Sequence, residues 1–293
     1  MALAECRYVN PRTDVEWPVN KPIWRAPDDG GYVNLTLGEG LRRGDIDASS
    51  GTLWRYRRAL RLPRDDFETM GEGWTPLIPS VWGECSVLMK CEHMMPTGSF
   101  KDRGTAVLFN YLKQSGISEI LEDSSGNAGA SYAAYAAAFR LLARILVPAS
   151  APDAKKTQIA AMGACMEAIE GTRQDVAEAA LSASKETFYA SHNWQPYFIE
   201  GTKTLAFEIW EQSGFSLPDN VIVPLGYGSN VVGLHLGFKE LMKSGEIDRM
   251  PRIFGAQAKN CAALYAAWNA GGKAVRFEMG ATIADGIASE KPV

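Results

Sequence analysis

Paired cysteines are missing from this sequence. Its five cysteines (Cys6, Cys85, Cys91, Cys165, Cys261) stand far apart with no Cys-x-x-Cys, which argues against a disulfide framework and against a thiolate metal clip. Histidine is scarcer still. His93, His192 and His235 are widely separated, and no local spacing of metal ligands exists. No apolar run approaches the length of a membrane span, and the opening MALAECRYVNPRTD lacks the apolar core of a secretion signal. Nor is there a basic excess: 30 Lys and Arg against 34 Asp and Glu leave a formal charge of −4, no footprint for nucleic acid. What remains, at 293 residues with 46% apolar and 22% charged, is an ordinary globular composition with reduced cysteines, as expected in the cytoplasm.

Residues 1–45 are rich in turn signals (Asn10-Pro11, Lys21-Pro22, Asp28-Asp29-Gly30-Gly31) and read as irregular. WRYRRAL (54–60) predicts a short helix, SVLMK (86–90) a short buried strand, and 99–113 an amphipathic helix. From there strands and helices alternate. EILED (119–123), ARILVP (143–148), CMEAIEG (165–171), NVIVPLG (220–226) and RIFGAQA (252–258) read as strands. The intervening helices include the alanine-rich 128–142, one long helix over 198–214, and 230–245. Such alternation predicts an α/β fold of open, mostly parallel sheets flanked by helices.

Three stretches carry chemistry. MPTGSFKDRG (95–104) sets Lys101 at the first turn of a helix, either as a solvated surface lysine or as a nucleophilic amine. SSGNAG (124–129) joins a strand to the alanine-rich helix. Small residues and free helix N–H groups there suit a carboxylate or phosphate, and a plain Ser/Asn cap fits the same residues equally well. PLGYGSN (224–230) repeats the strand–loop–helix arrangement. It is no dinucleotide fingerprint, because Val231 stands where a third glycine belongs, and it is no Walker loop.

In this order, MPTGSFKDRG, SSGNAG and VPLGYGSN resemble the fold type II pyridoxal-phosphate enzymes, the tryptophan synthase β-like fold. GEGWTPL (71–77), EGTKTLAFEI (200–209) and the stretch 237–258 look most like the threonine synthase branch, while TIADGIA (282–288) is similar to serine and threonine dehydratases. The resemblance runs from about Leu53 onward and implies two twisted sheets in a divided chain. Residues 46–113 and 194–293 would form a large cofactor domain and 114–193 a small substrate-binding domain. Lys101 would carry pyridoxal 5'-phosphate as a Schiff base and then act as base at the substrate's α-carbon. Asn127 would bond the ring hydroxyl, and the backbone of Gly226, Tyr227, Gly228, Ser229 and Asn230 would hold the phosphate. Ser124, Ser125, Gly126, Asn127 and Ala128 would bind the carboxylate of an amino-acid substrate. The implied activity is that of a threonine synthase-like carbon–oxygen lyase, working by α-proton abstraction and then elimination or replacement, with O-phosphohomoserine as candidate substrate. A serine/threonine dehydratase and a catalytically silent relative are the alternatives.

Departures from the family pattern bear on metal and substrate. Residues 1–45, with Cys6 and WRAPDDGG (24–31), are similar to a degenerate zinc ribbon without its ligands, so no metal is expected. Met95 stands for the usual Asn before Pro-Thr-Gly-Ser, and Phe198 for an expected Arg. Losing a guanidinium weakens a phosphate site, with Lys203, Arg173 or Lys155 as the substitutes at hand. The chain closes at ASEKPV, before the family's last sheet segment, so a truncated large domain and a homodimer that covers the open sheet are expected.

Overall fold

The computed structural model describes residues 6–124, 126–151, 153–273 and 275–289. The N-terminal region is more regular than its turn signals predict. Strands β1 (Arg7–Val9), β2 (Glu16–Pro18) and β3 (Asn34–Leu35) form a small antiparallel sheet in the order β2-β1-β3. Local side-chain bonds support its turns: Asn10 Nδ2 donates to Asp28 Oδ1 at 2.9 Å, Thr13 Oγ1 to Asp28 Oδ2 at 2.6 Å, and Arg12 Nε to Asp29 Oδ2 at 2.7 Å. Tyr8 and Cys6 are buried, and burial pushes the Cys6 thiol pKa up. The expected helix at 54–60 is a 3-10 helix over Leu53–Ala59.

Next come β4 (Leu77–Trp82) and β5 (Cys85–Lys90), an antiparallel hairpin. The expectation that 86–90 is buried fails: Leu88 and Met89 are 53% and 50% exposed, and Val81 and Trp82 are 70% and 77% exposed. Among the described residues the hairpin pairs with no other strand, so neither face is covered by a sheet neighbour. Apolar composition alone could not reveal that.

Helix α1 (Lys101–Gln114) leads into β6 (Glu119–Glu122), α2 (Asn127–Phe139), β7 (Leu142–Pro148), α3 (Asp153–Ala161), β8 (Cys165–Ile169), α4 (Arg173–Ala183) and β9 (Phe188–Tyr189). The four strands form one parallel sheet in the order β8-β7-β6-β9. Alternation of side chains explains why both faces are buried. Ile120, Ile145 and Val147 join the cluster of α1 and α2, whereas Leu121 and Leu146 meet Val176 and Ala180 of α4.

The chain continues through α5 (Pro196–Thr202), α6 (Thr204–Gln212), β10 (Asn220–Pro224), α7 (Ser229–Lys243), β11 (Arg252–Ala256) and α8 (Ala263–Asn269). The single helix expected over 198–214 is split at Lys203, whose amine bonds Ala59 O, Glu200 and Glu240. Strands β10 and β11 pair in parallel, with Val221 and Val223 packed into the cluster of α6 and α7. This second sheet is therefore a two-stranded pair, separate from the β4–β5 hairpin. Gly201 of α5 lies against the Arg103 carbonyl of α1, closer than any Cβ could approach, which lets these helices cross in near contact.

Candidate active site

The loop before α1 is fixed from both sides of Lys101. On one side, Asp102 is buried and accepts from Thr97 N at 2.7 Å, Thr97 Oγ1 at 2.6 Å and Ser131 Oγ at 2.6 Å, so the loop is tied to α2. On the other, Arg103 is buried between Glu92 and Glu208, with Nε–Oε2 at 2.7 Å and Nη2–Oε2 at 2.7 Å. Lys101 itself has neither a hydrogen bond nor an ion pair among the described residues. Its Nζ lies 4.6 Å from the Phe100 ring centre and 5.7 Å from that of Phe198. Burial pushes its pKa down to about 8, against a weaker opposing pull from Glu122.

Lys101 opens into a cavity of about 220 Å³ shared by three elements. From the start of α2 come Ser124, Gly126, Asn127 and Ala128; from the start of α7 come Gly226, Tyr227, Gly228, Ser229 and Asn230. Ser125 lies outside the described residues. Gly228 caps α7 at φ +102°, a conformation few side chains tolerate. No backbone N–H from Gly226 to Val231, nor from Asn127 to Gly129, donates a hydrogen bond among the described residues. Both helix starts therefore present free donors and partial positive charge to one cavity.

Sequence reading missed part of the lining. Gly286, Ile287 and Ala288 close it over Asn127, and His192 and Asn193 form another wall. His192 Nδ1 lies 2.9 Å from Glu122 Oε1, and His192 N donates to Glu122 Oε2 at 3.2 Å. Arg173 also lines the cavity, but its Nη2 donates to Asp123 Oδ2 at 2.7 Å. TIADGIA was the available signal for residues 286–288. None existed for Glu122, which stands 70 positions before its histidine.

One expected substitute for the missing guanidinium is elsewhere. Lys203 is fully buried in its ion network rather than at the cavity, because Glu200 and Glu240 neutralise it there. Phe198 is fully buried as well, and the side chain of Lys155 lies outside the described residues.

A profile for "Pyridoxal-phosphate dependent enzyme" matches residues 68–293, and the chain belongs to that family. Among curated proteins it is 32% identical over 250 residues to the threonine synthase of Methanosarcina acetivorans, covering 83% of this chain and 62% of that one. Threonine synthase of Mycobacterium tuberculosis is 37% identical over 223 residues, covering 73% and 61%. The chain thus spans about three fifths of the length of these relatives. Among solved structures, a bacterial-type threonine deaminase from "T.th." superposes with TM-score 0.63 at 28% identity, over 74% of this chain and 70% of that one. Maize serine racemase does so with TM-score 0.60 at 26% identity, over 69% and 60%. The α/β fold with parallel sheets flanked by helices is that of the fold type II enzymes.

Proposed function

We propose that this chain is a pyridoxal-phosphate dependent carbon–oxygen lyase of the threonine synthase kind, acting on an amino acid. The observation that carries the reading is the buried, unpaired amine of Lys101 in one cavity with two helix N-termini. Residues at the cavity fit the cofactor. Asn230 Oδ1 is buried without a partner among the described residues, and a Cβ on Gly226 would sit 3.2 Å from Ile287 Cα, so the backbone there is bare toward a ligand. Gly226 through Asn230 would hold the phosphate, and Lys101 with Asn127 would hold the ring's functional groups. Ser124, Ser125, Gly126, Asn127 and Ala128 would take the substrate carboxylate. When bound, pyridoxal phosphate supplies the electron sink that makes the substrate's α-hydrogen acidic. Lys101, half neutral near pH 8, is the base that takes that proton.

The substrate-binding domain of this reading is residues 114–193, which contain the four-stranded sheet, and the cofactor domain is 46–113 with 194–293. A homodimer is supported by the exposed apolar hairpin, and the cytoplasm by five free cysteines. Among the described residues no helix is long and apolar enough to cross a membrane. Finding the protein outside the cytoplasm by fractionation would overturn that location.

Two substrate classes divide on a phosphate. The threonine synthase relatives support O-phosphohomoserine. A hydroxyl amino acid, as for a dehydratase, is favoured by Lys203 and Phe198 being buried and by Arg173 being tied to Asp123. Purified protein given pyridoxal phosphate should show a visible absorption band and retain one cofactor after borohydride reduction. Lys101→Ala should lose both, and retention of a reduced linkage in that variant sinks the assignment. Phosphate release from O-phosphohomoserine supports the first class; keto acid from serine or threonine without phosphate release supports the second.

A further inference from the structure

A neutral histidine held by a buried carboxyl faces the same cavity as Lys101, and the reading above gives it no task. His192 is 7% exposed and lines the cavity, while Glu122 behind it is fully buried. The Phe198 ring brackets the two bases, 5.7 Å from Lys101 Nζ and 5.8 Å from the His192 ring centre. Glu122 fixes the imidazole through two hydrogen bonds, one to Nδ1 and one to the His192 backbone N–H. Nε2 has no partner among the described residues. The structure thus presents one free imidazole nitrogen to whatever occupies the cavity.

Resting on the lyase reading, we propose that His192 is a further catalytic residue that protonates the departing oxygen of a hydroxyl amino acid, with Glu122 as the residue that positions it and refills its proton.

The electrostatics of the site agree. Burial, reinforced by Asp123, holds the Glu122 carboxyl well above the usual carboxylate range, although Arg173 and Lys101 oppose this. Burial, reinforced by Lys101 and Arg173, holds the His192 imidazole well below its usual range. The charged and titratable groups around His192 are thus Glu122 and Asp123 after β6, Lys101 of α1, Arg173 of α4 and Tyr227 before α7. A protonated Glu122 donating to Nδ1 leaves the proton of a neutral imidazole on Nε2.

The step balances. The substrate's Cα–H bond breaks and its proton passes to Lys101 Nζ, while the electron pair left behind becomes the Cα=Cβ bond. The Cβ–O bond breaks with its pair going to oxygen, which takes the Nε2 proton and leaves as water. Nδ1 takes the Glu122 proton in the same movement, so no imidazolium forms and Glu122 ends as a carboxylate. Returning the Lys101 proton to Glu122 restores both groups. Hydroxide needs that proton, because its conjugate acid has a pKa of about 15.7. A phosphate does not, because its second pKa is about 6.

The test separates leaving groups on the holoprotein. With serine or threonine, His192→Gln should lower kcat for keto-acid formation by roughly 100-fold or more, the usual worth of a general acid. With β-chloroalanine, whose chloride departs unprotonated, kcat should change less than about threefold, and α-hydrogen exchange in D2O should persist. Glu122→Gln, which still holds Nδ1 but cannot supply a proton, should show the same selectivity. Independently of turnover, ¹⁵N NMR of the apoprotein, which has three histidines, should find a proton on His192 Nε2 at pH 7. An equal loss on both substrates, no loss on either, or an Nε2 without a proton overturns the assignment. A wild-type protein that takes up no cofactor and exchanges no α-hydrogen brings down the lyase reading, and this proposal with it.

Discussion

An amine as buried as Lys101 carries a cost that can be read as stability. Its pKa falls to about 8, whereas the ordinary lysine value is 10.5. Between those values the folded chain binds fewer protons than the unfolded one, so stability rises with pH through the window. The cost is fully present below pH 8 and gone above about pH 10.5. Lys101→Met removes the titration. Its apoprotein should be more stable than wild type at pH 7 by roughly 1–3 kcal/mol, the low end if cavity water screens the amine. Urea denaturation of both apoproteins at pH 7 and pH 10 checks this, and a gap that does not shrink with pH would mean Lys101 is solvated. At this scale the contiguous motifs are legible: Lys101, Asn127 and Gly226 through Asn230 reach one cavity, as their motifs imply. Residues whose surroundings come from distant segments are not. Lys203 reads as available in EGTKT, but its partner Glu240 lies 37 positions on, and no local pattern foretells their burial together.

Helix N-termini and one helix crossing do most of the positioning at the level of elements. Gly201 and Gly228 separate the two demands. At Gly228 there is open space but φ is +102°, so Gly228→Ala should cost about 1–2 kcal/mol of backbone strain. It should also weaken pyridoxal-phosphate binding by about tenfold or more, since the strained turn presents the free N–H groups. At Gly201 the φ is ordinary but the Arg103 carbonyl occupies the Cβ position, so Gly201→Ala must push α5 off α1. About 3 kcal/mol or more should be lost, at the upper end for an overpacked core. Urea melts and cofactor titration of both variants check the pair, and equal effects on cofactor affinity would show that the α7 loop is only a connector. Alternating strands and helices from 119 onward are legible because apolar runs and alanine-rich stretches differ in period. The hairpin and the split at Lys203 are not, because pairing partners and buried ion networks are properties of the assembled chain.

The exposed apolar hairpin is the feature of the whole molecule that most needs a partner. Register places Ile78 opposite Met89 and Trp82 opposite Cys85, so Ile78, Trp82 and Met89 share one face of β4–β5. Their exposures are 46%, 77% and 50%. Covering the remaining area of such side chains is worth roughly 1–2 kcal/mol each, so a twofold pair gains roughly 6–12 kcal/mol from six of them. Association costs about 4–15 kcal/mol in lost translation and rotation, a balance close enough that the outcome depends on concentration. The proposed homodimer should therefore dissociate on dilution, and Trp82→Glu should keep the protein monomeric without altering its melting as a monomer. A charge on an exposed hairpin face adds little strain to a fold whose core lies elsewhere, in α1, α2 and the four-stranded sheet. Sedimentation equilibrium of both proteins across a concentration series checks this. If wild type stays monomeric at every concentration, the homodimer is wrong; if Trp82→Glu still dimerises, the pair forms through another face.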